Sequence, residues 1–237
     1  MKQLYRIADL LVQMESFGRT VEQAKPYLTE EDGTPDIIIT SRWQELKKRA
    51  PYLTDEVCEY LSTGSSFYRQ LLSYQGMLLH SSAVVMDGRA YLFSAPCGTG
   101  KSTHTSLWLK VFGERARILN DDKPALRLEN DVFYAYGTPW SGKYDMNLNI
   151  RVPVAGICVL RRSEANRIEP YDGIMAIHDL LEQTSRIKNE EFMGKLLTLL
   201  DVLLEKVPVW KMECNMDPTA ARMSYSAMSG KDIECIN

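Results

Sequence analysis

The sequence predicts an α/β protein, and three observations carry the prediction. Strand-like and helix-like runs alternate from residue 76 to the end. A glycine-rich turn at 97–103 joins an apolar run to a helical one. The stretch VPVAGICVLRR (152–162) is continuously apolar, as in strands covered on both faces. Taken in order, residues 1–15 alternate weakly and read as a strand, and TPDIIITSR (34–42) reads as a stronger one after a Gly-Thr-Pro-Asp turn. Residues 54–76 carry a capping signal at Thr54 and apolar residues at helical spacing, with a break expected near Gly64. These elements make 1–75 a small mixed α/β portion, and 76–237 the main domain.

In that domain, two β runs flank Asp87-Gly88, a strong hairpin signal. Residues 102–112 read as a helix that Gly113 stops. Residues 116–130 read as strand, polar break and strand. After the 152–162 run come helical stretches at about 173–185 and 189–205, a strand at 207–214, and a helix at 217–229 opened by Asp217-Pro218.

The bulk composition excludes several classes. The chain has 237 residues, 45% of them hydrophobic and 25% charged, with a net charge of −3, which argues against a broad basic surface for nucleic acid. No apolar run reaches the ~18 residues of a membrane span, and the N-terminus does not read as a signal peptide. Five scattered cysteines form no CxxC pair, so neither a disulfide framework nor a zinc site follows. The expectation is a reduced, cytoplasmic protein with no membrane partner.

The chemistry concentrates in SAPCGTGKSTH (94–104). Backbone N–H groups wrap a phosphate only where side chains leave room, and Gly98 and Gly100 supply both room and unusual dihedrals. The helix beginning near Lys101 aims its positive end at the same place. Cys97, Gly98, Thr99, Gly100, Lys101, Ser102 and Thr103 are therefore candidate nucleotide-binding residues. Lys101 would reach the outer phosphates, and Ser102 would offer its hydroxyl to Mg²⁺. The strict G-x-x-x-x-G-K-[ST] pattern fails only at its first position, which is Ala95. Asp121 and Asp122 end the next apolar run, twenty residues after Lys101, where a carboxylate for a phosphate-bound metal is expected. The bland alternatives are an empty glycine turn and an ordinary Asp-Asp-Lys-Pro surface turn.

These motifs resemble those of the HPr kinase/phosphorylase and phosphoenolpyruvate carboxykinase group. The resemblance is clearest over 78–127, including His80 on the strand before the loop. It implies a P-loop core of that type, with a mixed sheet and flanking helices. It implies an ATP- and Mg²⁺-dependent kinase, with Asp121 first choice for the base, Asp122 and Ser102 on the metal, and His80 tuning the acids. Which aspartate holds which role stays open. The resemblance extends to shorter relatives that phosphorylate serine on a peptide, and it leaves a homo-oligomer open. The loop departs from the HPr kinase pattern at Ala95-Pro96-Cys97, and no downstream glycine-rich signature is found, so the HPr partner does not carry over.

The stretch YGTPWSGKYDMN (136–147) reads as a loop with an exposed Trp140 and with Lys143 placed to neutralise transition-state charge. The alternative is a surface connection whose tryptophan packs on the core. His104 borders the nucleotide region, whereas His178 reads as a surface residue. Arg161, Arg162 and Arg186 have two readings, contact with an acidic substrate or adenine and solvated ends of elements, and the second is the commoner for such residues. Two other functions compete: a kinase for a small hydroxyl metabolite such as free serine or a sugar, and a non-catalytic module in which ATP orders a gripping loop.

Overall fold

The computed structural model describes residues 2–142, 144–185 and 188–231. Lys143 and Arg186 lie outside the described residues. The fold is the expected mixed α/β class, a curled mixed sheet with flanking helices.

The N-terminal portion holds more structure than the sequence suggested. Residues 1–15 form a hairpin, not one strand: β1 (Gln3–Ile7) and β2 (Leu10–Met14) pair antiparallel. The two turn residues, Ala8 and Asp9, sit at φ +53° and +58°. Such a turn is usually announced by glycine or asparagine, and Ala-Asp gives no such notice. β3 (Ile37–Ile38) extends the sheet parallel to β2. Helices α1 (Gly18–Ala24) and α2 (Trp43–Arg49) were not foreseen. α3 (Asp55–Leu71) starts where expected: the Thr54 hydroxyl accepts from the Val57 N–H at 3.3 Å.

α3 runs through Gly64 without the expected break. A Cβ at that position would lie 2.9 Å from Trp140, so the glycine admits an indole ring. Trp140 is fully buried, as in the alternative reading in which it packs on the core. It stacks on Phe67 with ring centroids 4.7 Å apart and donates its Nε1–H to Thr63 Oγ1 at 3.1 Å.

The main sheet begins with β4 (Gly76–Leu78), β5 (Ser81–Met86) and β6 (Arg89–Ser94). Asp87 and Gly88, at φ +52° and +72°, turn β5 into β6 as expected. α4 (Lys101–Phe112) follows and ends at Gly113, φ +56°. β7 (Arg117–Asn120) pairs with β5, while β8 (Ala125–Glu129) pairs with β4 and with β9 (Val132–Tyr136). β9 was missed because its turn, Asn130-Asp131, lacks glycine although both residues have positive φ.

β10 (Arg151–Arg162) holds the sheet together. Its first residues pair antiparallel with β9, its middle pairs parallel with β6, and its end pairs parallel with β12 (Val209–Cys214). β11 (Arg167–Pro170), also unforeseen, flanks β12. Both faces of β10 are covered, which explains its unbroken apolar run. Ile157 faces the core under α5 (Gly173–Leu181) and α6 (Glu190–Lys206), with Leu180 and Leu200. Cys158 faces the core under α4 and α7 (Thr219–Ser229), with Trp108 and Tyr225. A third core joins the N-terminal sheet and α3 to Ala125 of β8, Tyr136 of β9 and Trp140. Among the described residues, no helix is long and apolar enough to cross a membrane.

Candidate active site

Three strand ends converge at one edge of the sheet. β5 and β6 pair antiparallel, with Ser81 opposite Ser94, so the start of one lies beside the end of the other. β7 flanks β5, with Asn120 opposite Ala83. The register therefore brings together His80, the turn after Ser94, and Asp121-Asp122.

The turn after β6 holds its glycines in conformations that other residues rarely adopt: Gly98 at φ +78° and Gly100 at φ +121°, with open space where a Cβ would point. Gly100 caps α4 without a side-chain hydrogen bond, so the first N–H groups of the helix meet no capping side chain. Lys101 is largely buried and donates to the Ala95 carbonyl at 2.8 Å. Desolvation lowers its pKa, and the nearby Asp122 charge opposes that shift. Cys97, Gly98, Ser102 and Thr103 are exposed. Arg162, read from sequence as a surface residue, reaches from the end of β10 over the turn. Its Nε donates to the Thr99 carbonyl at 3.0 Å and its Nη2 to the Gly98 carbonyl.

The acid pair sits on a turn organised by Asn120. Asn120 Oδ1 accepts from the N–H groups of Asp122 and Lys123 at 2.9 and 2.7 Å, and its Nδ2 donates to the Thr138 carbonyl at 3.0 Å. The two carboxylates then point to different partners. Asp122 meets His80 Nε2 at 3.1 Å and pairs with the Lys123 ammonium. His80 Nδ1 lies 3.0 Å from Gln183 Oε1, which fixes the ring. Burial tends to raise the Asp122 pKa. The His80 hydrogen bond and the Lys123 charge together outweigh it and hold the carboxyl well below its usual range.

Asp121 is 7% exposed and accepts from the Gly142 N–H. Its pKa is raised, chiefly by desolvation, against the pull of that N–H. The Asp121 N–H donates to the Met146 carbonyl at 3.1 Å, tying the pair to the 137–147 loop. Two neighbours from the N-terminal portion brace the same loop. The Tyr60 hydroxyl donates to the Ser141 carbonyl at 2.8 Å and lies 3.4 Å from Asp122 Oδ2. Arg19 donates to the Ser141 carbonyl at 2.7 Å and lies over the Tyr60 ring.

The structure thus gathers His80, Asp121 and Asp122, with Lys101 close enough to feel the Asp122 charge. Sequence reasoning missed Tyr60, Lys123, Arg19 and Gln183, and favoured a solvated strand end for Arg162. Of these only Lys123 had a local signal, its place in the Asp-Asp-Lys-Pro turn. His104 is buried against Phe93 with ring centroids 4.5 Å apart, and burial lowers its pKa to about 4. It lines a cavity of about 440 Å³ with Thr99, Thr103, Arg162 and Asn215, beside the glycine turn. His178 is exposed on α5, as expected. Among the described residues, no three His, Cys, Asp or Glu side chains cluster as a metal-holding group.

Fold and site together define a mixed α/β protein with a glycine turn and an acid pair at converging strand ends. The model of the SynChlorMet cassette protein ScmC family matches residues 53–201, and the chain belongs to that family. No curated protein matches the chain. Among solved structures, it is similar to the Hpr(Ser) kinase/phosphatase from Coxiella burnetii, at 11% identity and a TM-score of 0.38, over 65% of this chain and 95% of that chain.

Proposed function

We propose that the chain is an ATP- and Mg²⁺-dependent phosphotransferase that moves the γ-phosphate to a hydroxyl, that of a serine in a protein or peptide. One observation carries this reading. The register of β5, β6 and β7 sets a turn with two positive-φ glycines and an uncapped helix start beside a pair of carboxylates whose surroundings shift their pKa values in opposite directions.

The turn's main-chain N–H groups and the positive end of α4 hold the phosphates. Lys101 leaves the Ala95 carbonyl for the outer phosphates. The cavity beside His104 takes the base. Asp122 and the Ser102 hydroxyl are hard oxygen donors of the kind Mg²⁺ prefers, and Asp122 stays ionised as a ligand must. When bound, Mg²⁺ offsets phosphate charge. Asp121, with its raised pKa, lies nearer the working pH at which a base is effective. It takes the proton of the acceptor hydroxyl as that oxygen bonds the γ-phosphorus and the bond to the ADP oxygen breaks. The loop over Asp121 contains Lys143, whose charge would steady the transferring group.

Labelled γ-phosphate from ATP, offered with Mg²⁺ to serine peptide pools and to small hydroxyl metabolites, tests the reading. Label in peptides is expected. Label only in metabolites would make it a small-molecule kinase, and tight nucleotide binding without transfer would make it a binding module. Two variants sharpen the test. Lys101→Met is expected to weaken binding of a fluorescent ATP analogue by about tenfold or more, equivalent to ~1.4 kcal/mol. Arg162→Ala frees the Thr99 and Gly98 carbonyls. It is expected to raise the KM for ATP while leaving the melting temperature unchanged, because the side chain is exposed. An unchanged KM would mean that the Arg162 contacts do not shape the turn for ATP.

A further inference from the structure

We infer that the acceptor is an acidic peptide held extended along α3. This rests on the phosphotransfer reading for its chemistry and on a separate feature of the surface for its substrate. Two cavities of about 440 Å³ each lie end to end on α3 and share Leu61, Ser65 and Arg69. The first reaches Tyr60 and Lys123, two of the residues that touch Asp122. The second continues away from the acid pair to Arg42 and Arg49, on and just before α2.

The charge along this groove is one-sided. Arg42, Arg49, Arg69, Lys123 and Lys188 line it, against a single carboxylate, Glu45. Arg42, Arg49, Arg69 and Lys188 have no ion-pair partner among the described residues. In a chain of net charge −3, unpaired cations gathered in one groove are complementary to an anionic ligand. The length of the groove selects a polymer. Either cavity alone is of the size that takes a small ligand, so two in series from Lys123, the ion-pair partner of Asp122, to Arg49 suit a chain of several residues. Apolar surface from Leu78 and Leu61 packs residues on the acceptor side, and the cations farther along read flanking Asp and Glu.

The test separates the groove from the chemistry. Fluorescein-labelled serine peptides, one flanked by Glu and its twin by Gln, are titrated with the full chain and followed by anisotropy. The Glu peptide is expected to bind at least about tenfold tighter, with the preference shrinking as salt rises. Arg49→Glu and Arg69→Glu, exposed positions away from the acid pair, are each expected to erase most of that preference while binding of a fluorescent ATP analogue stays unchanged. Equal binding of the two peptides, no binding of either, or indifference to both reversals would overturn the inference. So would competition by free glutamate or free serine as strong as that by the peptide, since that marks a pocket for a single small acid. Peptide binding that obeys these rules without phosphate transfer would keep the groove and sink the phosphotransfer reading instead.

Discussion

Asp121→Asn is expected to bind nucleotide as the parent does and to lose phosphate transfer by about 10²–10⁴-fold, the range that a positioned general base supplies. The substitution is conservative in shape, and the carboxamide oxygen still accepts from the Gly142 N–H. Its stability effect has a definite sign. The folded pKa of Asp121 is raised above the unfolded value of ~3.9, so the folded state holds a proton that the unfolded state has released. Stability from this group is therefore present below the unfolded pKa and is lost as pH rises through the folded one. An asparagine carries no such penalty, so the variant melts at or above the parent temperature at neutral pH. Transfer by the parent rises with pH as Asp121 deprotonates, and the residual activity of the variant lacks that rise. Asp122→Asn behaves oppositely. Its folded pKa is depressed, so its stability contribution is present above the unfolded pKa and is lost on acidification. Removing that charge leaves Lys123 and His80 without their partner, and the variant melts lower at neutral pH. Parent-rate transfer by Asp121→Asn would sink the base assignment. If Asp122→Asn alone then lost transfer, the two roles would exchange.

What the sequence made legible was whatever short-range chemistry decides. Asp87-Gly88, Gly113 and the Thr54 cap are each set by the conformational freedom or hydrogen bonding of one or two residues, and each stands where it was read. The apolar run 152–162 announced a strand covered on both faces because alternation disappears when neither face is wet. The turns at Ala8-Asp9 and Asn130-Asp131 were invisible for the same local reason turned around: they adopt positive φ without glycine, held by the strands they join. At the candidate site, the proximity of His80 to the twin acids was anticipated through a resemblance. Tyr60, Arg19 and the contact of Arg162 with the glycine turn were not anticipated, because nothing near them in the chain marks them. Tyr60 and Arg19 reach the acid-pair loop only through packing of α1 and α3 beside the larger sheet, and Arg162 reaches the glycine turn only through the register of β10 against β6. For Trp140 the sequence left an exposed loop residue and a core-packed one both open, and the structure selects the second. A tryptophan among turn formers looks exposed until a glycine far away in sequence opens a slot for it.

That slot gives the second large effect. Trp140→Ala is expected to cost about 3–5 kcal/mol, as for other large aromatic deletions in a core. The loss also reaches the site. Trp140 pins the stretch that carries the Ser141 carbonyl, gripped by Tyr60 and Arg19, and the Gly142 N–H, bound to Asp121. A loosened loop leaves Asp121 less fixed, so transfer falls even at temperatures where the variant remains folded. Gly64 supplies the control. Mid-helix, Gly→Ala normally stabilises by about 1 kcal/mol. Here the new methyl meets the indole at 2.9 Å, and overpacking of this kind costs ~1–3 kcal/mol. Gly64→Ala should therefore destabilise the parent. In the Trp140→Ala background the obstacle is gone and the methyl enters the space the indole left, so the same change should stabilise. A reversal of sign between the two backgrounds, read from denaturant midpoints of the four proteins, is the signature of direct contact. Equal effects in both would mean that the glycine serves the helix alone and that Trp140 is not what holds the loop over Asp121.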